Sequence, residues 1–156
     1  MAIIQATTTS FRVELMQALH DFTAGTGDTF KIALFRAQAD IVGTFGAATT
    51  NYSDMGADEV SGTGYTAGGI TLTNITPTSG FTPASGSVAY TDFDDAVFSA
   101  VTLTTSGALI YNSTSGNRSV AVLNFGGDKT KIASDLTVMF PTADANTAIL
   151  RFTTPS

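Results

Sequence analysis

His20 is the sole histidine of the chain, and Glu14 and Glu59 are its two glutamates. A hydrolytic triad needs a histidine within reach of a nucleophile and an orienting acid. His20 falls late in a helical pattern, where an imidazolium would meet the negative end of the helix dipole. No Gly-x-Ser-x-Gly elbow accompanies it. Cysteine and tryptophan are absent, which removes thiolate nucleophiles, thiolate metal sites, disulfides and the indole face on which sugars stack. Asp92, Asp94 and Asp95 are the densest carboxylates, and three acids in a loop suit the hard oxygen coordination of Ca²⁺. Asx turns and an electrostatic guard at a strand end explain the same residues. Asp54, Asp58 and Glu59 form a second acidic group, but their spacing lacks the alternating Asp/Asn positions and closing Glu of a calcium loop. A short capped helical turn from Asp54 to Val60 accounts for them better. Asp92 and Asp95 could pair for glycoside hydrolysis, yet no Trp is there to hold a sugar. Gly62-x-Gly64 precedes no helix-and-strand unit, and no phosphate loop is present. These residues point to no catalytic, cofactor or metal site, and the expectation is a protein that is not an enzyme.

The elements that would position such residues read as all-β. Residues 84–125 alternate short β-rich runs with Gly, Asn, Asp and Ser clusters, the pattern of an antiparallel sandwich. Val88–Tyr90, Ala96–Leu103, Ala108–Tyr111 and Ser119–Phe125 are expected strands. Turns are expected at Thr91–Asp95, Ser106-Gly107 and Asn112–Asn117. Thr29 to Phe35 is the first clear strand, with Phe30, Ile32 and Leu34 on one face. Gly69 to Thr73 follows. Pro77 and Pro83 frame an expected Ser/Gly/Thr loop containing Phe81, a stretch that proline excludes from a central strand. Ser134 to Phe140 alternates cleanly with Leu136, Val138 and Phe140 inward, and Thr147 to Phe152 closes the set. Near the start, Ser10 is a helix N-cap candidate, and Phe11, Leu15, Ala18, Leu19 and Phe22 make one apolar stripe up to Gly25. Residues 1–9 are expected to be an extended arm, ordered only when bound. Residues 36–68 are Gly-rich and irregular, a connection long enough to imply function or a partner. The expected organisation is thus an arm over 1–9 and a single sandwich or jelly-roll-like domain over 10–156 carrying one N-terminal amphipathic helix.

The surface composition narrows the partners. Charged residues make up 13% of the 156, about half the usual share of roughly a quarter, while hydrophobic residues reach 43%. Few charges therefore guard the strand edges, a liability for a monomer that neighbours in an assembly would cover. Net charge is −6, and Arg12, Lys31, Arg36, Arg118, Lys129, Lys131 and Arg151 are scattered, which argues against nucleic acid. No apolar run reaches the length of a membrane span. The start lacks the basic and apolar regions of a signal peptide, so the expectation is a cytosolic product or part of a larger particle.

Three stretches carry a resemblance. Thr29-Phe30-Lys31-Ile32-Ala33-Leu34-Phe35, then Gly64-Tyr65-Thr66-Ala67-Gly68-Gly69-Ile70-Thr71-Leu72, then Ala108-Leu109-Ile110-Tyr111-Asn112 resemble a family of small structural proteins of tailed bacteriophages. Asp58-Glu59-Val60 and Asn124-Phe125-Gly126-Gly127-Asp128 fill two further motif places, with Asn124 where Asp is common. The resemblance spans about residues 10–140 and implies a non-catalytic β-sandwich component of the virion. The role it suggests is a capsid decoration or cement protein on the outer surface of the head, assembled in the host cytoplasm. There it would bridge major capsid protein subunits as a homo-oligomer, with a trimer favoured. A tail or head–tail junction component is the alternative, and a glycan-binding receptor module of a fibre is a third, using Tyr52, Tyr65, Tyr90 and Tyr111 in place of Trp.

Overall fold

A computed structural model describes residues 1–153. Residues 154–156, the end of the expected domain, lie outside the described residues. In chain order the elements are β1 (Ala2–Ile3), β2 (Ala6–Thr7), α1 (Thr9–Met16), β3 (Phe30–Phe35), β4 (Thr44–Phe45), β5 (Ile70–Thr71), β6 (Asn74–Thr82), β7 (Gly86–Phe93), β8 (Ala96–Asn112), β9 (Arg118–Val138) and β10 (Leu150–Thr153). The fold is mainly β, with a five-stranded sheet in the order β2-β9-β8-β3-β5 and a three-stranded sheet in the order β10-β7-β6. Both sheets are antiparallel, and the short β1–β4 pair is parallel.

The larger sheet is covered on both faces. Phe30, Ile32 and Leu34 of β3 join Ala108 and Ile110 of β8 in a first core, closed by Phe11 of α1, Phe93 of β7 and Leu150 of β10. Ala33, Phe35, Leu109 and Tyr111 point the other way, into a second core with Ile3, Ile41, Phe45, Met55 and Val122. The single inward face expected for β3 is thus corrected: almost every residue of it is buried, as befits a central strand with layers on both sides. The cover of the second face is the irregular segment after β3, folded into β4 and two 3-10 turns, Gln38–Asp40 and Tyr52–Asp58. Asn51 caps the second turn in a reciprocal capping box with Asp54, close to the turn expected there.

Residues 1–9 differ from the expected free arm. Ala2 and Ile3 pair with Thr44 and Phe45, Ala6 and Thr7 pair with Val122 and Ala121, and Ile3 is buried in the second core. Burying an isoleucine and satisfying strand N–H groups outweighs the weak local propensity of a Thr-rich run. The helix also shifts and shortens. Thr8, not Ser10, is the N-cap, accepting from Phe11 N–H, and α1 ends at Met16 rather than running past His20. Ala18 turns the chain away at φ 55°. Leu19 and Phe22 therefore lie beyond the helix, and Phe22 stacks on Phe30 at 4.3 Å between ring centroids.

Turn signals inside the long strands prove to be bulges. Gly107 pairs with Asn124 and Thr105 with Lys129, so Ser106 faces the whole run Phe125-Gly126-Gly127-Asp128. Gly126 and Gly127 take φ of 70° and 135°, which glycine adopts freely. Two smaller bulges follow. The N–H of Ala133 is taken by Thr102 Oγ1, and the N–H of Ala100 by Asp135 Oδ1, each at 2.8–2.9 Å. The expected Ser106-Gly107 turn is therefore the bend at the middle of one continuous β8–β9 ribbon. Asn112–Asn117 does hold a turn, between β8 and β9. The Pro77 stretch is likewise a strand, β6. It lies at the edge of its sheet and slips register between Ile75 and Thr78, so the missing N–H of Pro77 falls where no ladder bond is needed.

Candidate functional site

The residues with chemical potential assemble into polar clusters, and the largest lies where α1 meets the β8–β9 turn. Asn112 ends β8 with no exposed surface. Its Oδ1 accepts from the N–H groups of Thr114 and Ser115, which fixes the amide orientation. Its Nδ2 then donates to Asp28 Oδ2 at 2.7 Å and to His20 Nδ1 at 2.9 Å. With Nδ1 accepting, His20 is the neutral tautomer that donates from Nε2 to Glu14 Oε2 at 2.9 Å. The other Glu14 oxygen accepts from Arg118 Nη1 at 2.7 Å. The His20 side chain is fully buried, edge-on to Phe11 at 5.0 Å. An acid, a histidine and an amide in line resemble catalytic wiring, but here both imidazole nitrogens are occupied by the fold. What the cluster does is tie the helix, the β8–β9 turn and the chain before β3 together.

A second cluster surrounds Glu59. Tyr52 Oη donates to Glu59 Oε2 at 2.6 Å, while Tyr65 Oη and Gly68 N–H donate to Oε1, both at 2.7 Å. Tyr111 Oη donates to Gly68 carbonyl and its ring stacks on Tyr52 at 4.6 Å. Burial, and then the Glu59 carboxylate, push the Tyr52 phenol well above its ordinary range. Burial foremost raises Tyr65 too, with the Glu59 contact adding to it. The Tyr111 phenol is pushed up to about 12 by burial and then by the Glu59 charge. Tyr52 and Tyr65, two of the four tyrosines named as sugar platforms, hold the half-buried Glu59 carboxylate, and Tyr111 backs them through Gly68.

The acidic groups separate in space. Asp54 caps a 3-10 turn through the N–H groups of Thr50 and Asn51. Asp58, four residues on, faces away and accepts from Val42 and Gly43 N–H and from Arg36 Nη2. Burial alone would raise the Asp58 carboxyl, but those backbone donors and the guanidinium together hold it below the usual carboxylate range. Asp92 is wholly buried. It accepts from Phe93 and Ile149 N–H, and burial, with Asp95 nearby, raises its pKa. Asp95 accepts from Phe140 N–H, while Asp94 is exposed. Among the described residues no three His, Asp or Glu side chains converge as metal ligands. No helix among them is long and apolar enough to cross a membrane.

An open groove of about 630 Å³ runs along β9, beside the Ile149 segment. Leu123, Phe125, Leu136, Val138, Phe140 and Ile149 form its apolar wall, and Lys129 and Lys131 stand on its rim. No sequence pattern marks this groove, because it exists only where β9 passes the Ile149 segment. The one available signal was Lys129 and Lys131 as near neighbours in a charge-poor chain.

No known protein family, curated protein or solved structure matches the chain.

Proposed function

We propose that this chain is a structural component of a tailed-phage virion, a decoration protein on the outer surface of the head that binds major capsid protein subunits. One observation supports this above the others: the stretches that resemble the phage family interlock in space. β3, β5 and the end of β8 are neighbours in one sheet, with Lys31 opposite both Thr71 and Tyr111. Glu59 bridges to Phe35 and holds Tyr65 and Gly68, while Tyr65 Oη accepts from Leu34 N–H and Tyr111 Oη reaches Gly68. Gly69 lies so close to β3 that a Cβ there would fall 1.8 Å from Ile32 carbonyl, at a φ of +69°. Only glycine fits, so the Gly68-Gly69 pair belongs to the construction of the unit.

A role without catalysis fits the engagement of His20, Glu14, Glu59, Asp58 and Asp92 in holding the fold. A role in assembly fits a surface that leaves Met16, Ile132, Met139, Phe81 and Phe152 exposed with few charges among them. On the shell the protein associates with like copies, as a trimer at local three-fold positions. Titrating purified protein onto heads assembled without it tests the role. Saturable binding is expected, changing less than about tenfold between roughly 0.05 and 0.5 M salt because the contacts are mostly uncharged. Absence of binding to heads, with binding to tails, would move the protein to the tail or head–tail junction.

A further inference from the structure

The flanks of the two sheets are unequal. β5 and β10 are short, and β6 is blunted by Pro77. The outer flank of β8 is closed by the chain around Gly62 and Gly64. Thr102 N–H bonds to Thr63 carbonyl, and a Cβ on Gly62 would lie 2.4 Å from Thr102 carbonyl. β9 differs. Away from β8 it pairs with β2 only at Ala121 and Val122, and Asn124 Nδ2 reaches Ile3 carbonyl. Among the described residues no strand lies on that flank from Phe125 to Val138. A strand paired on one side leaves every second residue's N–H and C=O pointing outward.

The groove follows this flank. The bulge at Ile132 and Ala133 breaks it in two, leaving Ser134–Val138 as the stretch that another strand can join, a length of about 17 Å at roughly 3.4 Å per residue. Leu136 and Val138 line it from within the first core, half-buried Phe140 and Ile149 add apolar surface beside them, and Lys129 and Lys131 lie beyond the bulge. Neither lysine is ion-paired with any described carboxylate. The rim's own acid, Asp135, is held by Ala100 N–H across the ribbon. A chain with a net charge of −6 therefore presents two unpaired cations at one end of an apolar groove with open backbone.

We propose that this groove seats a short extended segment of a partner chain, which adds to β9 along Ser134–Val138, lays apolar side chains on Leu136 and Val138, and brings carboxylates to Lys129 and Lys131. Main-chain pairing supplies affinity in such strand addition, and side-chain pockets and charges supply selectivity. The virion assignment bears only on the source of the segment, a surface loop or terminus of the shell protein.

The experiment uses the full chain with two acetylated, amidated peptides, Asp-Glu-Thr-Val-Thr-Val and Lys-Lys-Thr-Val-Thr-Val. Binding is read by hydrogen exchange and by fluorescence of a labelled peptide. The acidic peptide is expected to slow exchange in residues 129–140 and to bind at least about tenfold tighter than the basic one. In K129E/K131E, which should melt like the parent, that preference should disappear or invert. Equal binding of both peptides, protection elsewhere, no protection at all, or a concentration-dependent dimer protecting the same residues would each overturn the proposal. Attachment of the parent protein to heads, measured beside peptide capture, separates the two ideas. Peptide capture without attachment of the parent protein to any particle contradicts the virion assignment alone. Attachment without peptide capture contradicts the groove proposal alone.

Discussion

Asn112 uses its full capacity of two donated and two accepted hydrogen bonds, with no solvent to replace any of them. Asn112→Ala should therefore cost about 2–4 kcal/mol, since it orphans His20 Nδ1 and two backbone N–H groups and leaves Asp28 Oδ2 with the Asp21 N–H alone. Urea unfolding measures it, and a loss below about 1 kcal/mol would mean water replaces the side chain. Asp58 makes a pH prediction. Its folded pKa lies below the ordinary value of about 3.9, so its contribution is complete above roughly pH 4 and is lost as pH falls through the lower folded value. Asp58→Asn should thus destabilise at neutral pH by about 1–3 kcal/mol, and the gap should narrow as pH drops below the ordinary carboxylate range. Asp92 has the opposite sign: its raised folded pKa favours the fold below its unfolded value and loses that advantage as pH rises through the folded one. The clean observable is consequently the difference between D58N and parent, in which Asp92 cancels. A gap independent of pH would contradict the carboxylate's role.

At the scale of elements, the β8–β9 ribbon and the first nine residues show what the sequence could and could not reveal. The alternation of Ser134–Phe140 and the apolar run at β3 were legible because each side chain's direction follows from strand period alone. Ser106-Gly107 and Gly126-Gly127 carried turn chemistry, and that chemistry is real. Whether glycine pairs make a hairpin or a bulge depends on what lies across the strand, and here they face each other. The helical spacing of Leu15, Leu19 and Phe22 puts His20 in the helix, but Phe22 instead stacks on Phe30 of a strand. The first nine residues read as an arm because only Ile3 and Ile4 are apolar, and the pocket that takes Ile3 is assembled from residues 30 to 120 positions away. Ile3→Ala should accordingly cost about 2–4 kcal/mol, and deletion of residues 1–7 should lower the melting temperature markedly. A deletion that melted like the parent would return the segment to the status of a free arm.

For the whole molecule, two cores pack on one sheet, and the buried carboxylates are all engaged: Asp58 and Asp92 by backbone donors, Glu14 by His20 and Arg118. The parts left over are apolar side chains, a long open flank and little charge. That combination suits a subunit bound by neighbours on a symmetric surface, where complementary faces need not rely on ion pairs. A trimer is expected in solution or on the particle, and sedimentation of the purified protein across a concentration series checks it. The most direct test of the proposed role is a density map of phage particles assembled with the chain, into which the two-sheet fold can be placed. The decoration role predicts on the order of hundreds of copies on the outer head surface, grouped around local three-fold positions and touching major capsid protein. Density for this fold confined to the tail or its junction, or no such density on the particle at all, would contradict it.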